Sequence, residues 1–225
     1  MRPFLPIAAL LVLSACGGES ASTPISPSTP LTPSTPVASN RAPIFASVSV
    51  SPAFGISQVT TFTMSATASD PDGDPLTYRW DFGDGQTATG QFFTKTYSGT
   101  GVAVVGVTAT DSRNGSASET RTITVGSMSG HWVGSIPGFT NLTLDFQQTG
   151  TVVTGTFTDG AGNAARTDPA QQGRIDGSGN VELRWKIAVF NDPTFRGQMD
   201  QSGRRITGGV FGSGFNGQPF EMTKQ

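Results

Sequence analysis

The chain has 225 residues, room for one or two domains, and a formal net charge of −2. Charged residues are 13% of the total, about half the usual share of roughly 25%, so there is no electrostatic case for a nucleic-acid partner. Gly 29 and Pro 15 favour turns and strands over helices, and no apolar run reaches the roughly 20 residues that a membrane-spanning helix needs.

Taken in chain order, residues 1–15 read as a secretory signal. Arg2 gives a minimal basic start, and Ile7 to Leu13 form a short apolar stretch. Leu13-Ser14-Ala15-Cys16 then resembles the lipobox of bacterial lipoproteins. The resemblance implies cleavage before Cys16 and acylation, such as palmitate, at that residue. One acyl chain binds membranes marginally, whereas two or three anchor stably. Gly17, not Asp, follows the cysteine, which by the same resemblance implies the outer membrane of a two-membrane bacterium. The expected location is the cell envelope, on its periplasmic or surface face, with the membrane as partner through the lipid. Cys16 is the one cysteine, so no intramolecular disulfide can form.

Residues 16–40 read as a tether of Ser, Thr and Pro. Thr23-Pro24, Ser26-Pro27, Thr29-Pro30, Thr32-Pro33 and Thr35-Pro36 recur about every third residue. Such prolines favour extended polyproline II and exclude regular helix or sheet. At about 3.1 Å per residue the tether spans on the order of 70 Å when extended.

Residues 41–126 read as a β-sandwich. Phe62, Met64 and Ala66 alternate with small polar residues. Leu76, Tyr78, Trp80 and Phe82 share one face of a strand, with Thr77, Arg79 and Asp81 on the other. Gly83 and Gly85 allow a tight loop after it. Ala103, Val105, Val107 and Ala109 alternate in a further strand, and Thr122 to Val125 give the last. Asp70-Pro71-Asp72-Gly73-Asp74-Pro75-Leu76-Thr77-Tyr78, Trp80-Asp81-Phe82-Gly83-Asp84-Gly85, Lys95-Thr96-Tyr97 and Val107-Thr108-Ala109-Thr110-Asp111 together resemble the PKD domain, an immunoglobulin-like module of cell-surface proteins. Val102-Ala103 departs from the Thr-Tyr common in that family, which affects one core contact.

Residues 127–225 remain all-β. Strands are expected near 131–136, 141–148, 151–158, 172–176, 180–190, 195–200, 204–211 and 218–223, with turns at Asp159-Gly160, Asp176 to Gly179 and Ser202-Gly203. Eight short antiparallel strands suit a small barrel, which removes exposed edges. Gly130-His131-Trp132 is similar to the first strand of lipocalin-like and avidin-like barrels, a match of three residues. The fold class is therefore all-β: an immunoglobulin-like sandwich followed by a roughly eight-stranded antiparallel barrel.

Four groups of residues could carry chemistry. Asp70, Asp72 and Asp74 alternate in one loop, and carboxylates so spaced can supply oxygens to Ca²⁺. The PKD resemblance implies a structural calcium held by Asn40, Asp70, Asp72 and Asp111; the alternative is a turn whose aspartates cap backbone groups. Trp132, Phe139, Trp185 and Phe195 either line a ligand cup or fill the barrel. Arg184 and Lys186 read as a solvated strand face rather than an anion site. His131, the sole histidine, can build neither a zinc cluster nor, without a Gly-x-Ser-x-Gly elbow, a serine-hydrolase site. No catalytic residue is assigned and no enzyme activity is expected. The expected role is a lipid-anchored, extracytoplasmic binding or adhesion protein. In it the sandwich is a spacer, or itself a module for protein or polysaccharide, and the barrel carries specificity. The alternatives are a carrier of a small apolar ligand and a non-catalytic accessory subunit of a surface hydrolase.

Overall fold

The computed structural model describes residues 39–167, 172–186 and 192–225. The signal, Cys16 and the tether up to residue 38 lie outside the described residues, as does the end of the strand expected over 180–190. Among the described residues every regular element is a β-strand.

Two sheets form the first half. One has the order β1-β3-β6, from Ile44–Ser51 (β1), Thr61–Ser69 (β3) and Phe92–Thr96 (β6). The other has the order β2-β8-β7-β4-β5, from Phe54–Ile56 (β2), Ser116–Gly126 (β8), Gly101–Thr110 (β7), Thr77–Asp81 (β4) and Thr87–Thr89 (β5). The alternation expected from the sequence sets the inward faces. Phe62, Met64 and Ala66 from β3 meet Tyr78 and Trp80 from β4, and Ala103, Val105, Val107 and Ala109 from β7. The polar tips of the buried aromatics are satisfied. Trp80 Nε1 donates to the Gly90 carbonyl at 3.1 Å, and Tyr97 Oη donates to the Phe82 carbonyl at 2.9 Å.

The second half closes on itself. Gly130–Ile136 (β9), Phe139–Thr149 (β10) and Val152–Thr158 (β11) are followed by Ala164–Thr167 (β12), Gly173–Ile175 (β13) and Asn180–Lys186 (β14). Thr194–Met199 (β15), Arg205–Gly212 (β16) and Phe215–Lys224 (β17) complete it. Each strand pairs antiparallel with its neighbour, and β17 returns to pair with β9. Strands β12 and β13 share one position between β11 and β14, so nine strands make eight staves. Following the register once around returns to β9 displaced by about ten residues, which tilts the strands by about 40°.

Inward residues fill this barrel. Trp132, Phe146, Val153, Leu183, Trp185, Ile206, Val210 and Met222 are at most 1% exposed. Glycine lets the wall draw close at Gly208, where a Cβ would strike the Arg196 carbonyl and the Gly197 Cα of β15.

The sandwich contributes to the barrel core. Ile56, at the end of β2, is fully buried in the cluster that holds Met128, Trp132 and Leu183. Hydrogen bonds lock this corner. Thr60 Oγ1 accepts from Ile56 N at 2.7 Å and donates to the Gly177 carbonyl at 2.6 Å, across the two halves. Gln148 Nε2 donates to the Ser57 carbonyl at 3.0 Å, while its Oε1 accepts from Met128 N at 2.8 Å. Residues Ser39–Gln225 accordingly form one compact unit.

Candidate functional site

The acidic loop precedes β4. Its chain path is set by Asp70, whose Oδ1 accepts from Asp72 N at 2.8 Å and Asp74 N at 3.2 Å, while Gly73 takes a φ of 80°. These bonds turn the three aspartates toward one another. One carboxylate oxygen from each of Asp70, Asp72 and Asp74 lies within 4.8 Å of the others, an arrangement that could hold a metal ion. Arginines supply positive charge there. Arg41 binds Asp72 through its Nη2 at 2.7 Å and its Nε at 2.9 Å, and Arg113 Nε lies 3.4 Å from Asp74 Oδ2. The side-chain hydrogen bond from Arg41, then its backbone N–H, hold the Asp72 carboxyl below its ordinary value.

The expected calcium set is brought together in part. Asp70 and Asp72 share the cluster, and its third carboxylate is Asp74. Asp111 instead bonds Asn40, whose Nδ2 donates to Asp111 Oδ2 at 2.9 Å, and its Oδ1 accepts from Arg113 N and Gly115 N, both at 2.8 Å. Burial would raise the Asp111 carboxyl, but the bond from Asn40 and those from Gly115 and Arg113 hold it below its ordinary value. The residues fit a hard cation in two respects. The donors are carboxylate oxygens, and Asp70 Oδ2 is shielded from solvent with no hydrogen-bond partner. Against this, a cation would compete with Arg41 and Arg113 for the same oxygens.

The four candidate ligand-binding aromatics fall inside the barrel. Trp132 and Trp185 are fully buried, Phe195 is buried, and Phe139 packs against the same core from its margin. Trp185 sits among Phe146, Phe157 and Phe195, with ring centroids 5.9, 5.1 and 6.0 Å away. Trp132 Nε1 donates to the Met128 carbonyl at 2.8 Å, whereas Trp185 Nε1 has no acceptor among the described residues. Among the described residues, the void beside Ile136, Leu142, Leu144, Phe195 and Phe220 is about 10 Å³. That holds at most about one water molecule.

His131 is exposed on the outer face of β9, and its Nδ1 lies 2.8 Å from Asp145 Oδ1 across the strand pair. The chain's surface aromatics are elsewhere. Phe92 on β6 is 63% exposed and Phe211 on β16 is 38% exposed. Composition concealed them, because a surface phenylalanine and a core one read alike until the register is known.

No curated protein matches the chain. Among solved structures, it is similar to the PKD1 domain of Vibrio anguillarum Epp, at 26% identity and a TM-score of 0.33, over 39% of this chain and 96% of that one. It is also similar to the PKD domain of an M14-like peptidase from Thermoplasmatales archaeon SCGC AB-540-F20, at 27% identity and a TM-score of 0.33, over 39% and 98%. A third likeness is to a structure of carbohydrate-binding modules from the beta-sandwich super family, at 19% identity and a TM-score of 0.38, over 82% and 91%. Residues 40–125 match the PKD domain family, and the chain is thus a PKD domain followed by a closed eight-stranded antiparallel barrel.

Proposed function

We propose that this chain is a lipid-anchored, extracytoplasmic binding or adhesion protein without catalytic activity. In this reading Cys16 carries the lipid and residues 16–40 the tether. The sandwich of 41–126 is a spacer, and the barrel of 127–225 recognises a surface protein or polysaccharide. The observation that carries it is the packing of the barrel interior among the described residues. Large side chains occupy the described interior, while Phe211 on the outer wall is 38% exposed. Recognition then falls to the outer wall. A cation held by Asp70, Asp72 and Asp74 would be structural, fixing the path of the loop before β4.

One observation favours the carrier reading. Trp185 Nε1–H is buried without an acceptor among the described residues, and a ligand oxygen would satisfy it. A single experiment separates the two. The full-length chain is offered to intact cells, to a panel of surface polysaccharides and to an environment-sensitive apolar dye. Retention on cells or glycans without dye uptake supports binding at the outer wall. Dye uptake with no surface retention refutes it. Loss of palmitate labelling in Cys16→Ser tests the anchor.

A further inference from the structure

The outer wall of the barrel is uneven in charge. On β14 the outward residues are Glu182, Arg184 and Lys186, because Val181, Leu183 and Trp185 face the core. The register places Arg174 of β13 and Arg196 of β15 on either side of Glu182. With neighbouring strands about 4.8 Å apart, the two arginines are rooted about 10 Å from each other. Glu182 takes two of the three guanidiniums. Its Oε1 accepts from Arg184 Nε at 2.9 Å and its Oε2 from Arg196 Nε at 3.2 Å. Arg196 also lies over the Phe211 ring, 5.8 Å from its centroid. Arg174 has no acidic partner among the described residues. Asp176 lies in the same groove, but its oxygens are occupied by its own turn. Oδ1 accepts from Ser178 N and Asn180 N, and Oδ2 from Asn180 Nδ2.

Arg174, Asp176, Glu182, Arg184 and Arg196 line an open groove of about 610 Å³ with Thr151, Asn180 and Gly197. The groove has the charge and shape for one kind of partner. Planar guanidiniums bind carboxylates through paired N–H groups, and two of them spaced along a groove suit a repeating anion. The lining holds no aromatic anchor pocket, the usual centre of a protein–protein interface. Its open lining mixes polar groups with the apolar Ile175 and Val181, a combination that suits the hydroxyl and C–H faces of sugar rings.

We propose that the Arg174–Arg196 groove binds an acidic polysaccharide, with successive carboxylates meeting Arg174 and Arg196 and with Glu182 and Phe211 holding Arg196 in place. This rests on the reading of the barrel as the recognition domain and names its ligand class. Phosphate-bearing or acidic protein partners are the competing outcomes.

The test uses the full-length chain in detergent with immobilised polygalacturonate, dextran, poly-L-glutamate and inorganic polyphosphate. At about 50 mM salt, retention is expected on polygalacturonate and not on dextran, with about tenfold weakening by about 200 mM. Arg174→Ala/Arg196→Ala is expected to lose at least about tenfold, Arg174→Lys/Arg196→Lys less, and Arg79→Ala on the sandwich nothing. An unchanged melting temperature in the alanine variant excludes misfolding, and the lysine variant serves if it does not fold. No retention on polygalacturonate, or unaltered retention by the alanine variant, overturns the proposal. Equal retention on poly-L-glutamate or polyphosphate overturns the glycan assignment. If intact cells still capture a chain that ignores polygalacturonate, this inference fails and the binding function stands.

Discussion

Ile56→Ala tests whether the sandwich and the barrel are one folding unit. Ile56 lies on a sandwich strand, yet its side chain is fully buried in the barrel core beside Met128 and Trp132. The substitution removes three carbons, a transfer loss of about 2.4 kcal/mol at about 0.8 kcal/mol per group. The cavity left at a corner pinned by Thr60 and Gln148 cannot collapse freely, so the total is expected near about 3–4 kcal/mol. In a unit of this size that lowers the melting temperature by about 6–16 °C. The assay is urea and thermal unfolding in a Trp80→Phe background, where Trp132 and Trp185 report on the barrel alone. The barrel signal is expected to shift by the full amount. A shift below about 1 kcal/mol in the barrel signal would refute the shared core.

Four further outcomes are expected. The carboxyls of Asp72, Asp84, Asp111, Asp159, Asp176, Glu182, Asp200 and Glu221 are all held below their ordinary values in the folded chain. Their stabilisation is present above the unfolded values and disappears as pH falls through the folded ones, so melting temperature should drop below about pH 4, and a flat acid profile would contradict this. Burial, reinforced by Asp84 and Asp81, pushes the Tyr97 phenol up to about 12, so its contribution is whole below about pH 10 and lost as pH rises through about 12. Ultraviolet titration reads this, and ionisation of every tyrosine near pH 10 would refute it. Calcium added to the full chain should release heat and raise the melting temperature, and Arg41→Ala should tighten binding by removing the competitor at Asp72; no heat and no rise would remove the metal. Gly208→Ala should cost more than about 3 kcal/mol in urea unfolding, because its Cβ meets the Arg196 carbonyl, whereas Gly99→Ala, where a Cβ would meet nothing, should cost far less.

Much of the fold is legible wherever large apolar residues alternate. Tyr78 and Trp80 place β4, and the row Val181, Leu183, Trp185 places β14, because period two with bulky groups has one inward solution. Strand β12 is not legible. Ala164-Ala165-Arg166-Thr167 offers no bulky alternation, and only the neighbouring staves β11 and β14 make it a strand. Strand β8 runs back to Ser116, well before the expected Thr122, since its polar outer half is held by pairing with β7 rather than by burial. Ile56 gave no signal either, because a three-residue strand has no period and its side chain packs among residues of the barrel rather than of the sandwich. At the acidic loop the alternation of Asp70, Asp72 and Asp74 was readable, but the pairing of Asp111 with Asn40 depends on where two distant loops meet.

Closure of the barrel by β17 against β9 sets an order of events. The two strands are the last and first staves, so the seam that seals the apolar interior joins segments far apart in sequence. Long-range closure of this kind is slow, since the loop entropy is lost before the contact rewards it. A chain delivered N-terminus first has seven staves in hand, with Trp132, Leu144 and Trp185 uncovered, until β17 arrives. In the exported, lipid-anchored protein proposed above, this delay would be useful: the barrel would not lock into a shape too wide to be threaded through a membrane pore before its final strand is made.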